Sequence, residues 1–274
     1  MQKMHYVMPD RKWPRALKPR RACLAMAAVC CLSLAMPGQA ETVKVVKIAA
    51  ASNLKFVLAD LTSQYKQQTG VQVDVNLGAS GNLARQVMQG LPVEQFISAD
   101  EAWVGQLVRS GRTLDDGQRY ATGRLALVVP KNSALPWRQG LAAVANALKP
   151  GDKFAWANPA LAPYGVAAEQ VMQRLGLLGQ LASHKVMGDN IGQTTQFVAT
   201  GAAQAGITAL SLAAAPAIAL SVQALPLPET GHTPLHQRMV LLKGASPAAV
   251  AWQQYLLSPQ AQALFVRHGY ALPQ

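Results

Sequence analysis

Four short stretches of this chain end an apolar run on a small, polar or glycine-containing turn and then begin a helical pattern. They are KIAAASNLKFVLADL, with Ser52 and Asn53 at the turn; VDVNLGASGNLARQVMQG, with Ser80; ANPALAPYGVAAEQVMQRLG, with Tyr164 and Gly165; and KVMGDNIGQTTQFVATG, with Asn190 and Ile191. A helix start carries backbone N–H groups without intrahelical acceptors, at the positive end of the helix dipole. Such a turn suits an anion. Several of them converging on one cleft would hold an anion through hydroxyls and main-chain amides, with no formal positive charge. Each turn also has a plainer reading. Serine is a preferred N-cap everywhere, so either Ser52 or Ser80 taken alone reads first as an ordinary cap. Tyr164 reads as a packed turn aromatic, and Asn190-Ile191 as a routine helix start. The equivalent placement of the two serines favours the anion reading, and Gly81 beside Ser80 would let a ligand come close to the backbone.

Other chemistry finds the residue types but not the arrangement. There is no G-x-S-x-G elbow, and His184, His232, His236 and His268 lie in no nucleophile–base context. His232 and His236 are four apart, but Pro234 between them argues against a shared helix face, and no nearby carboxylate completes a metal site. Asp100-Glu101 and Asp115-Asp116 are adjacent in the chain, so each pair splays apart. No enzyme activity and no cofactor are expected.

The elements that must position the turns alternate. Val43 to Ala50 reads as a buried strand; Leu54, Val57, Leu58, Leu61 and Tyr65 then follow a helical stripe, with Gly70 as its stop. Further strands are expected around Val71–Val75, Phe96–Ala99, Arg124–Val129, Phe154–Ala157, Ala205–Thr208 and Arg238–Leu242. Helices are expected between them, and two close the chain, over Pro247–Leu256 and from Ser258-Pro259 to about Arg267. Pro216, Pro226, Pro228 and Pro234 predict an irregular stretch. This alternation predicts parallel sheets covered by helices on both faces, with ligands beyond the carboxyl ends of the strands. All four turns lie there.

Residues 1–40 read as an export signal. Lys3, Arg11, Lys12, Arg15, Lys18, Arg20 and Arg21 make a basic segment, Ala22 to Met36 is uncharged and apolar, and Gly38 and Ala40 precede a cut before Glu41. The apolar run falls short of the ~18 to 20 residues that span a bilayer. Cys23, Cys30 and Cys31 all fall in this segment, so residues 41–274 have no disulfide, thiolate metal site or cysteine nucleophile. The chain has 25 Lys+Arg and 13 Asp+Glu; removing the leader leaves 18 against 12, or +6. No basic run is interleaved with aromatics, so no nucleic-acid partner is expected.

AAASNL, GASGNLARQVMQG, FISADEAWVGQL, NPALAPYGVAAEQV, GQTTQFVATGAAQAGITALS and SPQAQALFVRHGY occur in this order. In these segments, from about Val45 to Tyr270, the chain resembles the periplasmic molybdate-binding proteins of ABC importers. The resemblance implies an α/β type II periplasmic binding protein fold: two α/β lobes joined by two crossover strands, with a ligand cleft between them. The lobes would comprise residues 41–127 with 224–274, and 128–223. It implies molybdate or tungstate as ligand, with molybdenum present only within the bound oxyanion. Ser52, Asn53, Ser80 and Tyr164 would hold it, with Ile191 acting through its backbone N–H. An ABC permease and its ATPase would be the partners of a periplasmic monomer. Many members of that family carry a tyrosine where this chain has Ala209; a subset pairs this alanine with a tyrosine at the PYG turn, as Tyr164 does here. Glu94-Gln95 stands where an Asp and an apolar residue are usual.

The ligand chemistry agrees with the resemblance. A fully ionised tetrahedral dianion offers only acceptors, so a donor-only site suits it, whereas protonated phosphate needs an acceptor. Sulfate is equally donor-only in its needs. A binder for sulfate or another tetrahedral oxyanion is therefore one alternative. A periplasmic hydrolase and a non-transport sensor on the same fold are others.

Overall fold

The computed structural model describes residues 44–273; the expected export signal lies outside them. The chain begins with β1 (Val45–Ala51), a 3-10 turn over Ser52–Leu54, α1 (Lys55–Thr69), β2 (Gln72–Gly78), α2 (Ser80–Met88), β3 (Gln95–Ile97), α3 (Ala102–Arg109) and β4 (Gln118–Gly123). A second series follows: β5 (Leu125–Pro130), α4 (Leu141–Ala147), β6 (Phe154–Ala157), α5 (Pro163–Arg174), α6 (Leu178–Ala182), β7 (Lys185–Gly188), α7 (Ile191–Ala199), β8 (Ala205–Ala209), α8 (Leu210–Ala213), α9 (Pro216–Ala219) and β9 (Val222–Pro226). The chain closes with β10 (Leu235–Leu241), α10 (Pro247–Leu256) and α11 (Pro259–Arg267).

These strands form two five-stranded sheets of the same design, β2-β1-β3-β10-β4 and β7-β6-β8-β5-β9. In each, three strands run parallel, and a strand arriving from the other sheet pairs antiparallel beside them. The sheets are therefore mixed rather than wholly parallel. The reason is topological: β10 and β5 enter from the other sheet and need no crossover helix to reach their places. The chain passes from the first sheet to the second at Arg124, between β4 and β5, and returns over residues 227–234 between β9 and β10. This is the pair of α/β sheets, joined by two crossings of the chain, that the resemblance leads one to expect.

Both faces of the central strands are buried, which fixes their register. Val46, Ile48 and Ala50 of β1 point into one cluster and Ala49 into another. Leu125, Leu127 and Val129 of β5 likewise alternate with Ala126 and Val128. With a period of two, a one-residue slip would exchange these sets between faces. Each fully buried Leu, Ile or Val contributes roughly 1.5–3 kcal/mol. Helix α1 buries Val57, Leu58, Leu61 and Tyr65 as one stripe and ends at Gly70, whose φ of 72° is left-handed. Among the described residues no helix is long and apolar enough to cross a membrane.

Helix starts differ from expectation at the two serines. The N-caps of α10 and α11 are Ser246 and Ser258, whose hydroxyls accept from Ala249 N and Ala261 N. Ser52 and Ser80 are not caps. The residues before them, Ala51 and Ala79, occupy the cap positions and make no side-chain cap bond. The hydroxyls of Ser52 and Ser80 are thereby free of local duty.

Candidate functional site

The four turns follow β1, β2, β6 and β7, two from each sheet, at the carboxyl ends of the strands. Contacts between the sheets bring them together. Gly192 N–H, in the first turn of α7, donates to Ser52 Oγ at 3.2 Å. Gly81 N–H, at the start of α2, donates to Leu161 O at 2.9 Å, three residues before Tyr164. Asn53 and Tyr164 meet through the amide of Gln237 on β10. Ala51 and Gly78, which precede the two serines, are paired across β1 and β2. All five expected residues therefore gather at one junction, and all are buried: Ser52 is 8 % exposed, and Asn53, Ser80, Tyr164 and Ile191 are 3 % or less.

The hydroxyls have a common proton arrangement. Ser52 Oγ accepts from Gly192 N–H at 3.2 Å, Ser80 Oγ from Ala99 N–H at 3.0 Å, and Tyr164 Oη from Gln237 Nε2 at 3.0 Å. Each oxygen is thus occupied as an acceptor, and each hydroxyl has one proton left to give. Among the described residues no hydrogen bond donated by these three hydroxyls is found, and the Asn53 side chain also lies against the Tyr164 phenol. Burial, with Tyr270 nearby, holds the Tyr164 phenol well above its ordinary range, so it stays a donor at any physiological pH. Ile191 is the first residue of α7, where a backbone N–H has no intrahelical acceptor. Asn190 caps that helix by accepting from Gln193 N–H at 3.0 Å, so Asn190-Ile191 is a helix start as well as a candidate donor.

Two glycines allow this closeness. A Cβ on Gly81 would lie 2.6 Å from Trp103 Cζ2 and 2.9 Å from Leu161 O. One on Gly165 would overlap the Ala157 carbonyl oxygen and sit 2.9 Å from Pro159 N. Either would push the helix starts apart.

Several residues of the site were not foreseen. Asn53 Nδ2 donates to Gln237 Oε1 and to Tyr270 Oη, both at 3.0 Å, while Tyr270 and Ser211 donate to Asn53 O at 2.8 and 3.1 Å. Asn53 Oδ1 is buried without a partner. The available signal for Gln237 was a glutamine at an inward position of a strand, in step with Leu235, Met239 and Leu241. The other expected groups lie elsewhere. His236 Nδ1 is 3.3 Å from Thr122 Oγ1 and His232 Nδ1 is 2.8 Å from Thr233 O, so the two histidines have separate partners. A groove of about 330 Å³ beside the junction is lined by Asp100, Glu101, Pro163, Val166 and His236 among others, and by none of the five donors.

The arrangement is dominated by donors, with Asn53 Oδ1 an unpartnered acceptor beside them. It has buried hydroxyls and helix-start amides converging from two sheets, and no carboxylate among them. The bacterial extracellular solute-binding protein family model matches residues 46–271. The molybdate-binding protein ModA of Azotobacter vinelandii is 35% identical over 230 residues, covering 83% of this chain and 90% of that protein. ModA of Rhodobacter capsulatus is 32% identical over 266 residues, covering 94% and 98%. The solved structure of the Azotobacter vinelandii periplasmic molybdate-binding protein superposes with a TM-score of 0.77 at 32% identity, covering 84% of this chain and all of that one. With the architecture, the family-model match and these identities in agreement, the chain belongs to the bacterial extracellular solute-binding proteins, as a ModA-type periplasmic binding protein.

Proposed function

We propose that this protein captures molybdate and delivers it to an ABC importer. The observation that carries the reading is the set of three buried hydroxyls, each filled as an acceptor and each holding one free proton, beside the helix start at Ile191. A tetrahedral dianion has only acceptors, and charge-assisted bonds from buried donors are roughly twice as strong as neutral ones. Relatives bearing the name molybdate-binding protein support molybdate in particular. In this reading Ser52, Ser80 and Tyr164 give hydroxyl protons, Ile191 gives its N–H, and Asn53, whose two Nδ2 protons go to Gln237 and Tyr270, donates through its backbone N–H in the first turn. Tungstate, with the same charge and shape, is a second ligand. A solute-binding protein carries its ligand unchanged, which sets aside the hydrolase alternative.

In the proposed lobes, the first sheet with its helices moves against the second. These lobes are residues 41–127 with 224–274, and residues 128–223. Each lobe supplies two of the four turns, so binding closes the cleft on the anion. The protein acts in the periplasm, exported by residues 1–40, as a monomer that meets a membrane permease and its ATPase.

A thermal-unfolding panel on the protein without its leader tests this. Molybdate at ~100 times its dissociation constant stabilises by roughly 2.7 kcal/mol, a shift of about 5–10 °C. Sulfate gives a smaller shift, and phosphate at the same concentration gives none. A sulfate shift exceeding that of molybdate would make this a sulfate receptor. A phosphate shift equal to that of molybdate would mean that the unpaired Asn53 Oδ1 accepts from a protonated ligand, and would contradict the donor-only account.

A further inference from the structure

We infer that Gln237 is a positioning residue for the anion: its side-chain amide orders the buried hydrogen bonds so that Tyr164 must donate its proton to the ligand. This rests on the molybdate reading above and names a residue outside the four turns that enforces it. Gln237 lies on β10 and is fully buried. Its Oε1 accepts from Asn53 Nδ2 at 3.0 Å and from Tyr120 Oη at 2.6 Å, and its Nε2 donates to Tyr164 Oη at 3.0 Å.

The orientation is set through Asn53 and Tyr270. Turning the Gln237 amide would set its Nε2 against Asn53 Nδ2, donor against donor. Turning Asn53 as well would set its oxygen against Tyr270 Oη, whose proton is already given to the Asn53 carbonyl at 2.8 Å. Tyr120 does not decide the orientation, because its single proton can go to Ser98 O at 2.9 Å or to Gln237 Oε1 at 2.6 Å. With Nε2 held toward Tyr164, the phenol oxygen is filled, and its proton has the anion as its destination. Gly123 completes the seat. A Cβ there would overlap Tyr164 Oη and lie 2.5 Å from Gln237 Nε2. The amide of a strand on the first sheet thus sets which way a hydroxyl from the second sheet donates.

Gln237→Glu keeps the shape and reverses the chemistry, since a carboxylate can only accept and would take the Tyr164 proton. Titration calorimetry with molybdate is expected to show at least a tenfold loss of affinity at about pH 8. Part of it should return toward about pH 6, as a buried carboxyl with a raised pKa protonates and donates again. Wild-type protein is the control, since its failure to bind molybdate would defeat the parent reading and not this one. In the Tyr164→Phe background, Gln237→Glu should cost at least about fivefold less affinity than it does in the wild type, since the loss through the Tyr164 proton is already taken and only repulsion between the carboxylate and the anion remains. Unfolding of the ligand-free variants separates fold damage from binding. Wild-type affinity in Gln237→Glu, or an equal loss with and without the Tyr164 hydroxyl, would overturn the inference.

Discussion

Replacing Ser80 by alanine is expected to lower molybdate affinity by about 1.5 to 3 kcal/mol, roughly 10- to 150-fold, because it removes the hydroxyl proposed to donate to the buried anion. A second loss accompanies it and has its own cause. Ser80 Oγ accepts from the N–H of Ala99, and both residues are buried. Alanine leaves that N–H without an acceptor, which costs about 1 to 3 kcal/mol of fold stability in the absence of ligand. Loss of a helix cap plays no part, since Ala79 occupies the cap position of α2. Calorimetry reads the first effect and chemical denaturation of ligand-free protein reads the second. A variant with reduced stability and wild-type affinity would reduce Ser80 to a tether for Ala99.

Gly165→Ala produces the other large effect, although glycine has no side chain to touch a ligand. The start of α5 lies against the end of β6, and an added methyl would overlap the Ala157 carbonyl oxygen and crowd Pro159 N at 2.9 Å. Neither neighbour can give way easily, because both atoms belong to the backbone. Overpacking of this kind costs typically 1–3 kcal/mol. Relief comes by shifting the first turn of α5, which carries Tyr164, away from the junction. Molybdate affinity is therefore expected to fall about tenfold or more, as a misaligned hydroxyl loses its charge-assisted bond. Calorimetry and ligand-free unfolding check both parts. Unchanged affinity would mean that Tyr164 does not reach the anion.

Much of the fold was legible wherever local chemistry decides it. The stop of α1 at Gly70, the start of α11 at Ser258-Pro259 and the run of α10 over Pro247–Leu256 all follow from capping and turn chemistry. Elements fixed by distant partners were harder to see. In β4, QRYATG buries Tyr120, Ala121 and Gly123 but shows no apolar alternation; it is held by its pairing with β10. The helix LAAVANA is too short to display a period, and the stretch around Pro216 hides two short helices. The mixed direction of the sheets depends on where the chain crosses, which no local pattern records.

The candidate site divides in the same way. Ser52, Asn53, Ser80, Tyr164 and Ile191 stand at turns between a strand and a helix, which sequence alone shows, while their choice as donors comes from the resemblance. Their hydrogen-bond partners leave no such mark in the sequence. Ala99, Gly192 and Gln237 fill the three hydroxyl oxygens from 19, 140 and 73 residues away. A serine that caps a helix and a serine that accepts from a distant backbone and donates to a ligand look identical in one dimension. Only the folded arrangement shows which protons are left to give.

The most direct measurement is anomalous diffraction from crystals of the protein grown with molybdate. The account predicts one molybdenum peak at the junction of the two sheets. Its oxygens should lie within hydrogen-bonding distance of the Ser52, Ser80 and Tyr164 hydroxyls and the Ile191 N–H, about 2.5 to 3.2 Å. A peak in the groove lined by Asp100 and His236, or at the junction but out of reach of these donors, would contradict it.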